Sequence, residues 1–326
     1  MRRWAGFALA AALLAACAPR PSAALPVPIR VDAEPVAEWP EGEKPAPPDN
    51  FTYAGGLVLT SKDTARLHGL SDLVVLPDGR MISQSDEGDL VRARITLDAQ
   101  GRLTGVAEAT FARLTGQDGQ PLPTGKSESD AEGLALWPNG DLMVSFERRH
   151  RIWLYPADGG SPREVPHPDA PFPNNEGMEA LALDPADGPD AYRVGREDTR
   201  ETWVCHLAGG CATSFSVAGV GEGWLTSARA MPPVVLPGGW VFLLRDYNPL
   251  TQATTIRIRI TDAQGRTVDT HVIAAPAAVD NFEGIAVLPN PNGSARLYLI
   301  SDDNFSARQR TLLLAFDWRP KPGATP

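Results

Sequence analysis

A chain of 326 residues with 43% hydrophobic and 21% charged side chains can bury a large core, which excludes disorder of the whole. Its 31 Pro, 30 Gly and 8 Trp, without a long stretch of helical periodicity after residue 20, exclude an all-helical fold and favour short strands joined by tight turns. The formal charge of -10, with no stripe of Lys and Arg alternating with aromatics, argues against nucleic acid as a partner and for cations or neutral ligands.

From the N-terminus, Arg2 and Arg3 form a positive start, residues 4–16 are apolar, and small residues lead to Cys17, the layout of a secretory signal. The apolar run is too short to span a bilayer as a mature helix. Leu14-Ala15-Ala16-Cys17 resembles a bacterial lipobox, which implies removal of residues 1–16 and a lipid on the Cys17 sulfur. The expected location is the cell envelope, facing the periplasm, with the membrane as a partner through the anchor and the protein monomeric. An ordinary signal peptide with an incidental cysteine is the alternative. Residues 18–50 hold nine prolines and few large apolar side chains, so residues 17–50 read as an extended tether.

The folded domain is expected over 51–320, with 321–326 a tail. Within it one pattern recurs: an apolar strand, a turn of Pro, Asp, Asn and Gly, a second strand, then a charged cluster. Copies open at Ser71, Asp130, Asn175, Ser227 and Asp280, and their turn prolines 77, 138, 185, 237 and 289 recur at intervals of about fifty residues. Pro-Asp-Gly, Pro-Asn-Gly and Pro-Gly-Gly supply the fixed and positive φ values that tight hairpins need. Leu90 to Leu97, Arg151 to Tyr155, Thr202 to Leu207 and Thr255 to Ile260 read as third strands. The expected fold is an all-β propeller of five four-stranded blades, with a sixth around residues 100–125 as the alternative count. Phe51 to Thr60 stands unpaired, and pairing it into the last blade closes the ring and hides two sheet edges. Cys205 and Cys211 flank a glycine-containing loop, and outside the cytoplasm such a pair reads as a disulfide sooner than as a metal clip.

In a blade the start of the first strand and the end of the second lie at one face. Asp72, Glu132, Glu179, Arg229 and Glu283 are therefore expected at one mouth of the channel with Asp86, Glu147, Arg148, Arg196, Asp198, Arg245, Asp246, Asp302 and Asp303. So many converging carboxylates repel unless cations or arginines sit among them. Oxygen ligands without clustered His or Cys suit a hard ion, calcium before magnesium or manganese, with Asp72, Asp86, Glu132, Glu179, Glu283, Asp302 and Asp303 as candidate ligands. Arg148, Arg229 and Arg245 could grip an anionic substrate. The competing reading makes these groups salt bridges that hold the ring together.

The Glu-Gly-Leu-Ala segment at Glu132, its counterparts at Glu179 and Glu283, Asp280-Asn281-Phe282-Glu283-Gly284, Arg245-Asp246 and Ser301-Asp302-Asp303-Asn304 resemble the phytase-like domain family, described as having esterase-like activity of phytase. The likeness spans most of residues 51–318. It implies a secreted or periplasmic propeller with calcium-dependent phosphomonoesterase or esterase action, in which Glu132, Glu179 and Glu283 carry the catalysis. Few lysines lie near the motifs, a departure that sets phytate apart as a substrate. No Gly-x-Ser-x-Gly elbow, Walker loop or His-Glu-x-x-His motif is present, and none of the five His lies beside an obvious nucleophile. The alternatives are a calcium-dependent lactonase and a non-catalytic ligand- or protein-binding propeller.

Overall fold

The computed structural model describes residues 25–43, 50–217 and 223–321, so Cys17 and the signal residues lie outside the described chain. Tight turns of the expected kind set the blades. In Leu76-Pro77-Asp78-Gly79 and Trp137-Pro138-Asn139-Gly140 the glycine N–H donates to the first carbonyl at 2.9 Å in both cases, with glycine φ of 84° and 92°. Each turn joins an inner strand to the strand beside it.

Blade 1 comprises Leu70–Val75, Arg80–Ser85, Asp89–Leu97 and Leu103–Arg113. Blade 2 is Ala131–Leu136, Leu142–Phe146, Arg151–Tyr155 and Arg163–Val165, and blade 3 is Met178–Leu183, Ala191–Arg196, Glu201–His206 and Cys211–Ser216. Blade 4 follows with Trp224–Ala230, Trp240–Asn248, Ala253–Thr261 and Thr267–Ala274. Blade 5 contains Asn281–Pro289, Ala295–Asp302 and Leu312–Trp318, and its fourth strand is Phe51–Thr60 from the far end of the chain. All pairings are antiparallel, and ring closure runs through pairs such as Leu313↔Leu57 and Trp318↔Phe51. The alternative sixth blade does not form: residues 103–113 are the outer strand of blade 1, paired to Asp89–Leu97.

Part of the expected tether is also sheet. Val27–Pro28 pairs with the outer strand of blade 1, and Asp32–Pro35 pairs with Phe51–Thr60 of blade 5, so this segment bridges the seam where the ring closes. Its prolines cause no conflict because an edge strand need not donate on its outer side. Cys205 and Cys211 face each other across the last hairpin of blade 3 and are disulfide-bonded, with Cα atoms 4.0 Å apart.

The core lies between blades. Leu243, Ile256 and Ile258 of blade 4 meet Phe282, Ile285, Leu299 and Phe316 of blade 5, all at most 1% exposed. The channel itself is polar. The five inner strands converge around it, and Gly133 and Gly284 let them approach, because a Cβ on Gly133 would lie 2.6 Å from the Glu179 carbonyl oxygen and one on Gly284 2.7 Å from the Asp72 Cα.

Candidate metal centre

Each inner strand breaks register with its neighbour near its start: between Leu70 and Asp72, Ala131 and Leu134, Met178 and Ala180, Leu225 and Ser227, and Phe282 and Gly284. A bulge leaves its extra residue unpaired and re-aims the side chain. The residues at these breaks are Ser71, Glu132 with Gly133, Glu179, Thr226 and Glu283, and Ser71, Glu132, Glu179, Thr226 and Glu283 form a first set with one member per blade. The first residue beyond the register partner of the residue that precedes each break forms a second set: Asp86, Glu147, Glu197, Arg245 and Asp302. Asp86, Glu147 and Glu197 donate their backbone N–H to Gly69, Asp130 and Gly177, while Arg245 and Asp302 pair with Trp224 and Asn281. Two stacked rings result, holding seven carboxylates and one guanidinium, all from buried or nearly buried residues.

The cations are not evenly shared. Arg245 reaches Glu197 Oε1 at 3.2 Å and Glu283 Oε1 at 3.3 Å. Lys126, from the one-turn helix Lys126–Ser129, reaches Asp86 at 2.5 Å. Asn281 ties this side together, its amide donating to Glu283 Oε1 at 2.9 Å while its carbonyl accepts from Arg245. On the opposite side, among the described residues, Glu132, Glu147 and Glu179 have no basic side chain within ion-pairing distance. Asp130, Glu132 and Glu147 offer oxygens within 4.8 Å of one another, as do Glu147, Glu179 and Glu197, so Glu147 is common to two acidic triads. Glu147 is 4% exposed, and its Oε1 has no hydrogen-bond donor.

Burial, and then the neighbouring acids, push these carboxyls up. Glu132 and Glu179 lie well above the usual glutamate range, as does Asp302 above that of aspartate. Glu147, Glu197 and Glu283 are raised to about 7 and Asp86 to about 6, desolvation being the largest cause in each. Desolvated like charges at such spacing cannot all ionise without added positive charge. Carboxylate-only donors around an oxygen atom left without a partner fit a hard divalent ion.

A family model described as "Phytase-like: Esterase-like activity of phytase" matches residues 65–194 and 234–305, well over half of the chain. The protein belongs to the phytase-like family. The match takes in every residue of the two rings except Glu197 and Thr226. No curated protein matches the chain. Solved structures similar to it include one described as a putative gluconolactonase, 14% identical, with a TM-score of 0.46 over 82% of this chain and 83% of that one. Others are a streptogramin B lyase, 12% identical with a TM-score of 0.43 over 83% and 98%, and the calcium-binding protein regucalcin from Agrobacterium tumefaciens, 14% identical with a TM-score of 0.44 over 82% and 84%. At this level of similarity they say nothing about the chemistry of the phytase-like site.

Within this phytase-like propeller, Glu132, Glu179, Glu283, Asp86, Asp302 and Arg245 share the mouth. Asp72 and Arg229 do not join them. Aligned by the Leu or Ile that follows, Asp72 corresponds to Gly133 and Gly284, one position deeper, and its fully buried carboxylate accepts from Leu134 N–H, Ser227 Oγ and Arg229 at 2.8–2.9 Å. Arg229 also donates to Leu73 and Leu181 carbonyls, so the pair plugs the channel beneath the rings. Asp303 turns away to His68 at 2.5 Å and to Thr311 at 3.1 Å. Arg148 is engaged by Asp130 at 2.5 Å and by Asn175, and Arg196 by Asp198 at 2.5 Å. The sequence-based ligand set lacks Glu147, Glu197, Asp130 and Lys126. Glu147 and Glu197 stand in the runs Glu147-Arg148-Arg149 and Arg196-Glu197-Asp198, just past strand ends at Phe146 and Arg196, where the turn decides which member faces the axis.

Proposed function

We propose that the protein is a hydrolase of phosphoric or carboxylic esters that works with a hard divalent cation, calcium first, and that it is anchored in the bacterial envelope by lipid on Cys17. The observation that carries the catalytic reading is the group of buried glutamates from blades 2 and 3, Glu132, Glu147 and Glu179, which have no basic side chain within ion-pairing distance among the described residues. These three, flanked by Asp130 and Glu197, would hold the ion. When bound, a divalent ion polarises an ester oxygen and lowers the pKa of its water. Glu283, raised to about 7 beside Arg245 and Asn281, is matched to neutral pH as a general base toward that water. Arg245 and Lys126 offset part of the charge of Glu283 in blade 5 and of Asp86 in blade 1. A lactone would meet the same groups as an open ester and differ only in shape. The envelope location is supported by the signal-like N-terminus and by the Cys205–Cys211 disulfide, which suits an oxidising compartment.

The test is turnover of p-nitrophenyl phosphate and p-nitrophenyl acetate in calcium and in chelator. Activity in calcium, lost in chelator and reduced at least ~100-fold by Glu283→Gln with unchanged circular dichroism, is the expected result. Calcium binding with no turnover of either ester would leave a ligand-binding propeller and contradict the proposal.

A further inference from the structure

The rings repeat from blade to blade, but the surface around them does not. In blades 2 and 3 the second and third strands stop at the ring, with 5 residues each in blade 2 and 6 each in blade 3. In blade 4 the same two strands have 9 residues each, and pairing continues past Arg245 through Asp246↔Thr255, Tyr247↔Thr254 and Asn248↔Ala253. At about 3.3 Å per residue this hairpin stands roughly 10 Å above the ring. Residues 304–310 of blade 5 form the facing wall. Between them lies a cleft of about 1030 Å³, ample for a small organic ligand. Arg245 and Asn281, both bonded to Glu283, belong to its lining, so its inner end adjoins the acidic rings.

Three features single this cleft out. Two of the large exposed aromatics among the described residues meet here: Trp224 and Tyr247 line the cleft at 46% and 52% exposure, whereas Phe305, in the facing wall, packs on His68. Isolated exposed apolar side chains are ordinary, but aromatics clustered about one concavity are a binding feature. Gln252, Asn304 and Phe305, in the two walls, hold φ between 48° and 56°, a conformation that costs non-glycine residues energy and collects at ligand sites. The cleft also carries exposed guanidinium groups. Arg310 is 3.4 Å from Asp280, whereas Arg308 has no carboxylate within ion-pairing distance among the described residues.

We infer that this cleft binds an anion that carries a flat apolar ring. The ring lies against Trp224 and Tyr247, whose faces offer wide apolar contact at little entropic cost, and the anionic group takes charge-assisted hydrogen bonds from Arg308, with Arg310 beside it. As the substrate cleft of an ester hydrolase the assignment rests on the function proposed above; as a binding site it stands apart from it.

The experiment titrates the full-length protein with phenylphosphonate, which cannot be hydrolysed, in the presence of chelator, by calorimetry and tryptophan fluorescence. Chelator leaves the acidic rings without an ion to offer the phosphonate, so binding reads the cleft, while turnover in calcium reads the rings. Saturable binding is expected, at least tenfold weaker for methylphosphonate and at least tenfold weaker in Trp224→Ala and in Arg308→Ala. Both positions are exposed, and circular dichroism checks that the variants stay folded. No binding of phenylphosphonate, equal binding of methylphosphonate, or parental affinity in either cleft variant would overturn the inference. The expected binding pattern without ester turnover would uphold the cleft and sink the hydrolase.

Discussion

In chelator at pH 8, Glu147→Gln is expected to melt about 5 °C above the parent, and calcium should raise the melting temperature of the parent while leaving the variant nearly unmoved. A substitution in the rings that stabilises the metal-free protein follows from their crowded buried acids. Glu147 is raised to about 7 by burial first and then by Asp130, against 4.5 for an unstrained glutamate. Between these values the folded chain binds more protons than the unfolded chain, so stability falls as pH rises through that window and stays low above it. Glu197 and Glu283 act in the same direction. The metal-free parent should therefore melt higher at pH 5.5 than at pH 8, and bound cation should flatten that slope. Differential scanning calorimetry at the two pH values, with and without calcium, reads all of these effects. A parent that gains stability toward pH 8 without metal would show that the carboxyls are relieved some other way.

Arg245→Met should cost about 3–5 kcal/mol in urea unfolding at pH 8, because removing one partner of a buried ion pair leaves the others uncompensated. Burial alone opposes the charge on Arg245, and Glu283 and Glu197 outweigh it, so that its affinity for the proton rises. Without it those two glutamates face each other's field and Asn281 loses its donor. The loss should shrink at pH 5.5, where the acids take up protons. Adding Glu283→Gln to Arg245→Met should recover part of the stability at pH 8. A cost below about 1 kcal/mol, the size of an exposed pair, would mean that the ring acids are already neutral without Arg245.

Much of this architecture is legible because turn chemistry is local. Pro-Asp-Gly, Pro-Asn-Gly and Pro-Gly-Gly mark hairpins wherever they stand, and their spacing counts the blades. Glu132, Glu179 and Glu283 stand out because each sits in the same segment of the repeat, and the structure puts all three at the bulge. Asp72 misleads, since its Ser-Asp-Leu-Val segment aligns with Glu-Gly-Leu-Ala only if the bulged position is counted, and that count assigns Ser71 to the ring and Asp72 to the plug. The turn after Phe146 decides between Glu147, which faces the axis, and Arg148, which takes a φ of 57° and faces Asp130, and no strand alternation announces that choice. Lys126 enters from a single helical turn after a long loop, which no periodicity announces. Proline count alone suggests a free tether at 17–50, whereas Asp32–Pro35 finds an open edge of Phe51–Thr60 to pair with, a contact between segments that composition does not encode.

The proposed hard cation sits between blades 2 and 3, coordinated by Glu147. Crystals grown with manganese, an oxygen-seeking ion that scatters anomalously, would show it. An anomalous peak is expected, bonded to Glu147 together with oxygens of Glu132 and Glu179 or of Glu179 and Glu197, and absent from crystals of Glu147→Gln. No peak in the rings, or a peak that persists in the variant, would contradict it.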